Sequence, residues 1–127
     1  LKVVGAEIGA LIISARSMSI TTECDARVNL QPRAQGIDVE IALQRSQRWQ
    51  GCMKWFEATG QANAQESAVL NTRINSAEMP QAMNLVFEGS SGQLDSTSAV
   101  EIVLNRRGQS GKISLDGIGS GVFAYAP

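Results

Sequence analysis

The residues whose type and spacing speak first to chemistry are Cys24 and Cys52, the only two cysteines in the chain, 28 positions apart. A disulfide between them is the preferred reading. Closing a loop of that length contributes about 3.5 kcal/mol in the chain-entropy model, and the bond would place the chain in an oxidising compartment such as the periplasm or cell exterior. Two buried free thiols are the alternative, because Cα separation is not readable from sequence. Arg106, Arg107 and Lys112 form a local concentration of positive charge near the C-terminus. They are a candidate patch for an anionic partner; the alternative is a solvated rim, since adjacent arginines at a strand end point in different directions.

Other chemistries find less support. With no histidine there is no Ser-His-Asp or Cys-His pair and no imidazole ligand, and two cysteines alone do not make a four-ligand zinc site. Paired carboxylates of the glycosidase kind survive that filter but need a cleft that the sequence does not reveal. The expectation is a non-enzyme without cofactor. Asp38, Asp95 and Asp116 lack the oxygen-rich spacing of a calcium loop, so no metal is assigned. Gly108, Gly111, Gly117, Gly119 and Gly121 superficially suggest a phosphate loop, but no helix and no Lys-Ser/Thr pair follow them. Hairpin turns account for them. Trp49, Trp55, Phe56, Phe87, Phe123 and Tyr125 are mostly core candidates, with Trp49 the one expected to be partly exposed.

These residues must be held by one core. The chain has 127 residues, 43% hydrophobic and 18% charged, with 11 Lys+Arg against 12 Asp+Glu, which is the profile of one folded domain spanning 1–127. A net charge of −1 gives no bulk field for nucleic acid. The longest uninterrupted aliphatic run, Ala10 to Ile13, is far short of a membrane span, so the chain as it stands is not expected to cross a bilayer. It starts at Leu1 without a methionine, as if something upstream had been removed.

Val4, Ile8, Leu11, Ala15 and Met18 recur at steps of four and three, predicting a helix over residues 1–22 with one buried stripe. Gly5 and Gly9 fit close packing of that helix against a sheet. From Ile37 to Leu43 the apolar residues alternate strictly, the signature of a half-buried strand. A shorter strand, Arg27 to Leu30, precedes it across a turn at 31–36. Further strands are predicted at Met53 to Glu57, Ala68 to Ile74, Met83 to Glu88, Val100 to Asn105, Lys112 to Leu115 and Val122 to Ala126. Glycine-rich turns at 89–92, 107–111 and 116–121 join the later ones as antiparallel pairs. The predicted fold class is α+β: an N-terminal helix packed on antiparallel β-sheet, with 27–127 as a β-rich head.

The segment Leu11-Ile12-Ile13-Ser14-Ala15-Arg16-Ser17-Met18-Ser19-Ile20 resembles the L-x-x-A-R-S-x-A-I stretch of the GspH/FimT family, minor pseudopilins of type II secretion systems and minor pilins of type IV pili. Trp49 to Phe56 resembles that family's W-x-x-G-W-x-x-F region, with Gly51 one place early and the second tryptophan displaced. Ala68-Val69-Leu70-Asn71 resembles its next strand, Leu85 to Gly92 its x-x-F-x-x-x-G strand and turn, and Val100 to Leu115 its closing hairpin. Cys52 follows Trp49, whereas the second cysteine of the family usually precedes the tryptophan.

The resemblance implies a pilin-like head on the C-terminal half of a long helix, here residues 1–22, whose removed first half anchors such proteins in the inner membrane and carries a methylated N-terminus. It implies a structural subunit near the tip of a pseudopilus or pilus, with other pilin or pseudopilin subunits, and exported cargo, as partners. The implied location is the bacterial cell envelope, with the head in the periplasm or on a surface pilus. A ligand-binding β-domain, an adhesin or carbohydrate-binding module using Trp49 and the loop from Thr59 to Ser67, is the alternative. A DNA-binding minor pilin fits less well, because Gly117 to Val122 contains no arginine.

Overall fold

The computed structural model describes residues 1–95, 100–115 and 123–127, the side chains of 123–125 excepted. Helix α1 (Lys2–Thr22) is followed by strands β1 (Asp25–Arg33) and β2 (Gly36–Gln44), helix α2 (Gln50–Ala58), and strands β3 (Glu66–Ile74), β4 (Met83–Phe87), β5 (Val100–Arg106), β6 (Gln109–Leu115) and β7 (Phe123–Ala126). The strands form two antiparallel sheets, one in the order β3-β2-β1-β4 and a smaller one in the order β5-β6-β7. The fold is α+β, as the periodicities predict.

One apolar cluster binds these parts. Val28 and Leu30 of β1, Ile37, Val39, Ile41 and Leu43 of β2, Leu85 and Phe87 of β4 and Ile102, Leu104, Ile113 and Leu115 of the second sheet are buried with Val4, Ile8, Ile12 and Ala15 of α1. The helix therefore lies against both sheets, touching β1, β4 and β6. Its buried face is Val4, Gly5, Ile8, Gly9, Ile12, Ala15 and Ser19, while Leu11 and Met18 of the predicted stripe are only half-buried. The stripe is rotated slightly from its predicted position, toward Ile12 and the two glycines, which allow close approach to the strands.

Helix α1 contains 21 residues, and by length and composition alone it is apolar enough to cross a membrane. This differs from the expectation based on an unbroken aliphatic run. Gly, Ala and Ser interrupt the run without adding charge, so the segment stays apolar as a whole.

Three local readings are corrected. Met53 to Glu57 is not a strand but the body of α2. Cys52 and Phe56, four apart, are its buried face, and over so short an apolar run the periods of helix and strand are not distinguishable. The β1–β2 turn is only Ala34-Gln35, and β1 continues through Pro32. Proline is tolerated there because the pairing of β1 with β4 ends at Leu30, leaving that side of the strand without a ladder to satisfy. In the β5–β6 hairpin the turn is Arg107-Gly108 alone, and Gly111 is a buried strand residue opposite Leu104. The predicted turn at 116–121, the strand position Val122 and the side chains of Phe123 and Tyr125 lie outside the described residues.

Candidate functional site

Helix α1 has a second face. Val3, Ala6, Ala10, Ile13, Ser17 and Ile20 follow one another at steps of three and four, and all six are exposed. Among the described residues the exposed large hydrophobics are Val3, Ile13 and Ile20, at 73%, 50% and 40%, and every one is on this stripe. A helix that is apolar on opposite sides buries only one of them in its own head. The other side is left uncovered by the described residues.

The C-terminal end of this helix is tied down. Glu23 caps it in the left-handed conformation at φ 63°, and the Thr22 hydroxyl accepts a hydrogen bond from the Cys24 N–H at 3.1 Å. Cys24 is bonded to Cys52 of α2, with Cα atoms 4.7 Å apart and both residues fully buried. The disulfide reading therefore holds, and it fits an extracytoplasmic location. It ties the segment that follows α1 to α2.

The basic cluster is divided by the strand register. Lys112 lies opposite Val103, in the row with Glu101, and pairs with that glutamate at 3.4 Å. Arg106 continues the row of Ile102 and Leu104, on the other side of the hairpin. Arg106 and Arg107 instead share a polar cleft of about 480 Å³ with Gln35 of the β1–β2 turn and Ser76 and Glu78 of the β3–β4 connection. Two of its lining residues, Glu78 and Asn105, exchange reciprocal backbone hydrogen bonds of 2.8 Å each, which join the β3–β4 connection to β5.

On the outer face of the larger sheet, Arg27 bridges Glu40 at 3.0 Å and Glu66 at 2.6 Å. The hydrogen bond and charge of Arg27 hold the Glu66 carboxyl below the usual range, and Glu66 in turn raises the guanidinium. Asp38 is engaged similarly by Arg33 and Arg73. Among the described residues no three His, Cys, Asp or Glu side chains are grouped so as to hold a metal. Trp49 is half-buried at the start of α2, with the Arg48 guanidinium 5.4 Å from its ring centre.

Comparison with known proteins finds nothing: no family model matches the sequence, and no curated protein and no solved structure resembles it significantly. Two features of the site escaped the sequence. The outward stripe of α1 was legible in principle, as a second apolar period phase-shifted from the first. The cleft was not, because it depends on a contact between residues far apart in the chain.

Proposed function

We propose that this chain is the envelope-anchored structural subunit its motifs resemble: a minor pseudopilin or minor pilin that assembles near the tip of a secretion pseudopilus or a type IV pilus. The observation that carries this reading is the two-faced helix α1, one stripe packed on both sheets and the opposite stripe apolar and exposed. A subunit that works by assembly needs such a helix, rigidly attached to its head, and the Cys24–Cys52 bond provides that attachment. Its partners are other subunits of the same filament, met through α1, and its head faces the periplasm or the cell exterior. No chemical step is required of it. The mechanism is packing: free energy comes from apolar area removed from water, or within lipid from van der Waals contact, when the outer stripe finds neighbouring helices.

The test is made on the native protein in its own cell. A photo-crosslinking residue at Ala10 or Ile13 should trap other envelope filament subunits, and deletion of the gene should abolish secretion or piliation. Recovery of the protein as a free, uncrosslinked species, with secretion and piliation intact in the deletion strain, would overturn the reading.

A further inference from the structure

We infer that the cleft between the two sheets is a binding site for a carboxylate-bearing ligand, specifically an acidic side chain of a peptide segment, held by Arg106 and Arg107. This goes beyond the assembly role and does not depend on it. Arg106 and Arg107 of the β5–β6 hairpin line the same cleft as Glu78, yet among the described residues none of these three side chains has a hydrogen-bond or ion-pair partner. Opposite charges lining one cleft without closing on each other leave space for a group between them. The volume of about 480 Å³ is in the range of small-ligand sites.

The backbone adds an independent observation. Arg107 and Gly108 have φ values of 47° and 79°, the geometry of a type I′ hairpin turn, whose first central position favours Asn, Asp or Gly. Arginine is a costly choice there. Gln35, at the tip of the β1–β2 hairpin on the other sheet, is likewise left-handed at φ 59°. Two of the non-glycine residues held in this conformation thus come from different sheets and line one cleft. Such outliers gather where a side chain is needed at the position more than a relaxed backbone is.

The charge balance points to the ligand class. Two guanidinium groups against one carboxylate leave a net single positive charge, which one carboxylate neutralises in full, whereas a phosphate monoester dianion would leave a negative charge unbalanced beside Glu78. Glu78 also repels a second nearby anion, as a nucleic-acid strand would present, and among the described residues no aromatic lines the cleft to stack a base. The Gln35 and Asn105 amides and the Ser76 hydroxyl supply mixed donors and acceptors of the kind that meet a peptide backbone.

The proposal is tested by NMR titration of the whole chain with acetyl-Gly-Ser-Glu-Ser-Gly-amide, its Gln analogue and its phosphoserine analogue. The Glu peptide should give saturable shifts at the Gln35 and Asn105 side-chain amides and stronger binding than either analogue. Arg107→Asn should weaken that binding at least about fivefold while leaving the melting temperature unchanged or raised, because asparagine suits the turn. Arg106→Ala should weaken it similarly. The opposite signs for affinity and stability at residue 107 are not produced by misfolding. The proposal is overturned by absence of saturable shifts up to about 10 mM peptide, by equal binding of the Glu and Gln peptides, by tighter binding of the phosphoserine peptide, or by undiminished binding to Arg107→Asn.

Discussion

Gly89 meets Glu23 backbone to backbone: a β-carbon at position 89 would overlap the Glu23 carbonyl oxygen and come within 3.0 Å of the Cys24 carbonyl carbon. The turn after β4 is held in this place by its own hydrogen bonds. The Gly89 N–H donates to the Asp25 carboxylate at 2.7 Å and the Ser90 N–H to the Ser19 carbonyl at 2.9 Å. Neither side can yield, because both are main chain. Gly89→Ala is therefore expected to destabilise the protein by about 2–3 kcal/mol. Gly51 provides the control, since the nearest atoms a β-carbon there meets are Oε1, Cδ and Cγ of the flexible Glu23 side chain, which can swing away. Gly51→Ala should be near neutral, and urea midpoints of the two variants check the contrast.

Removal of the disulfide should be felt across the whole fold. The bond closes a 28-residue separation, so the double variant Cys24→Ala/Cys52→Ala is expected to lose about 3.5 kcal/mol in denaturant unfolding. Both cysteines are fully buried, so reductant reaches the bond only when the structure opens. Reduction in native buffer should then be slow and should accelerate in moderate urea. Rapid reduction of the folded protein would contradict this.

Acid should weaken the larger sheet through Glu66. Its carboxyl is held below the usual range by Arg27, so its contribution is present at pH values above the ordinary glutamate pKa of about 4.3 and is lost as pH falls through the lowered folded value. The Glu66 side chain is 43% exposed, which limits the effect to a fraction of a kcal/mol. Glu66→Gln should flatten the stability profile below about pH 4.5 while leaving its neutral-pH limb parallel to the parent. Urea unfolding at a series of pH values reads this out, and added salt should shrink the difference.

What the sequence made legible depended on how far each signal had to reach. In β2, the alternation of Ile37, Val39, Ile41 and Leu43 predicts a buried face, and all four are at most 1% exposed. That period is local and long enough to be unambiguous. The segment 52–56 was too short for the same test, and only its packing under the disulfide reveals a helix. In β3 a register shift opposite Ile41 and Ala42 interrupts the alternation, leaving both Val69 and Leu70 half-buried, so its sequence pattern is blurred. The separation of Lys112 from Arg106 follows from strand register and could be deduced once the turn was known to be two residues. The meeting of Gln35, Glu78 and Arg107 has no sequence signal, because it arises from how the two sheets are joined.

The outer stripe of α1 gives the sharpest separation between folding and assembly. Ile8 is fully buried between helix and sheets, whereas Ile13 is half-exposed on the opposite side. Ile8→Ala removes packed volume and should cost about 2–5 kcal/mol. Ala10→Glu and Ile13→Glu remove nothing from the core, so each should change unfolding stability by no more than about 0.5 kcal/mol. The same two variants place a charge on a face that must be apolar to meet lipid or another helix. In the native protein they should therefore abolish crosslinking to neighbouring subunits and the secretion or piliation that depends on it. Glu7→Gln, at the polar edge that Glu7 forms with Ser14 and Thr21 at steps of seven, should leave assembly intact. If Ile13→Glu assembles as well as the parent, the stripe is not the contact surface, however stable the isolated head remains.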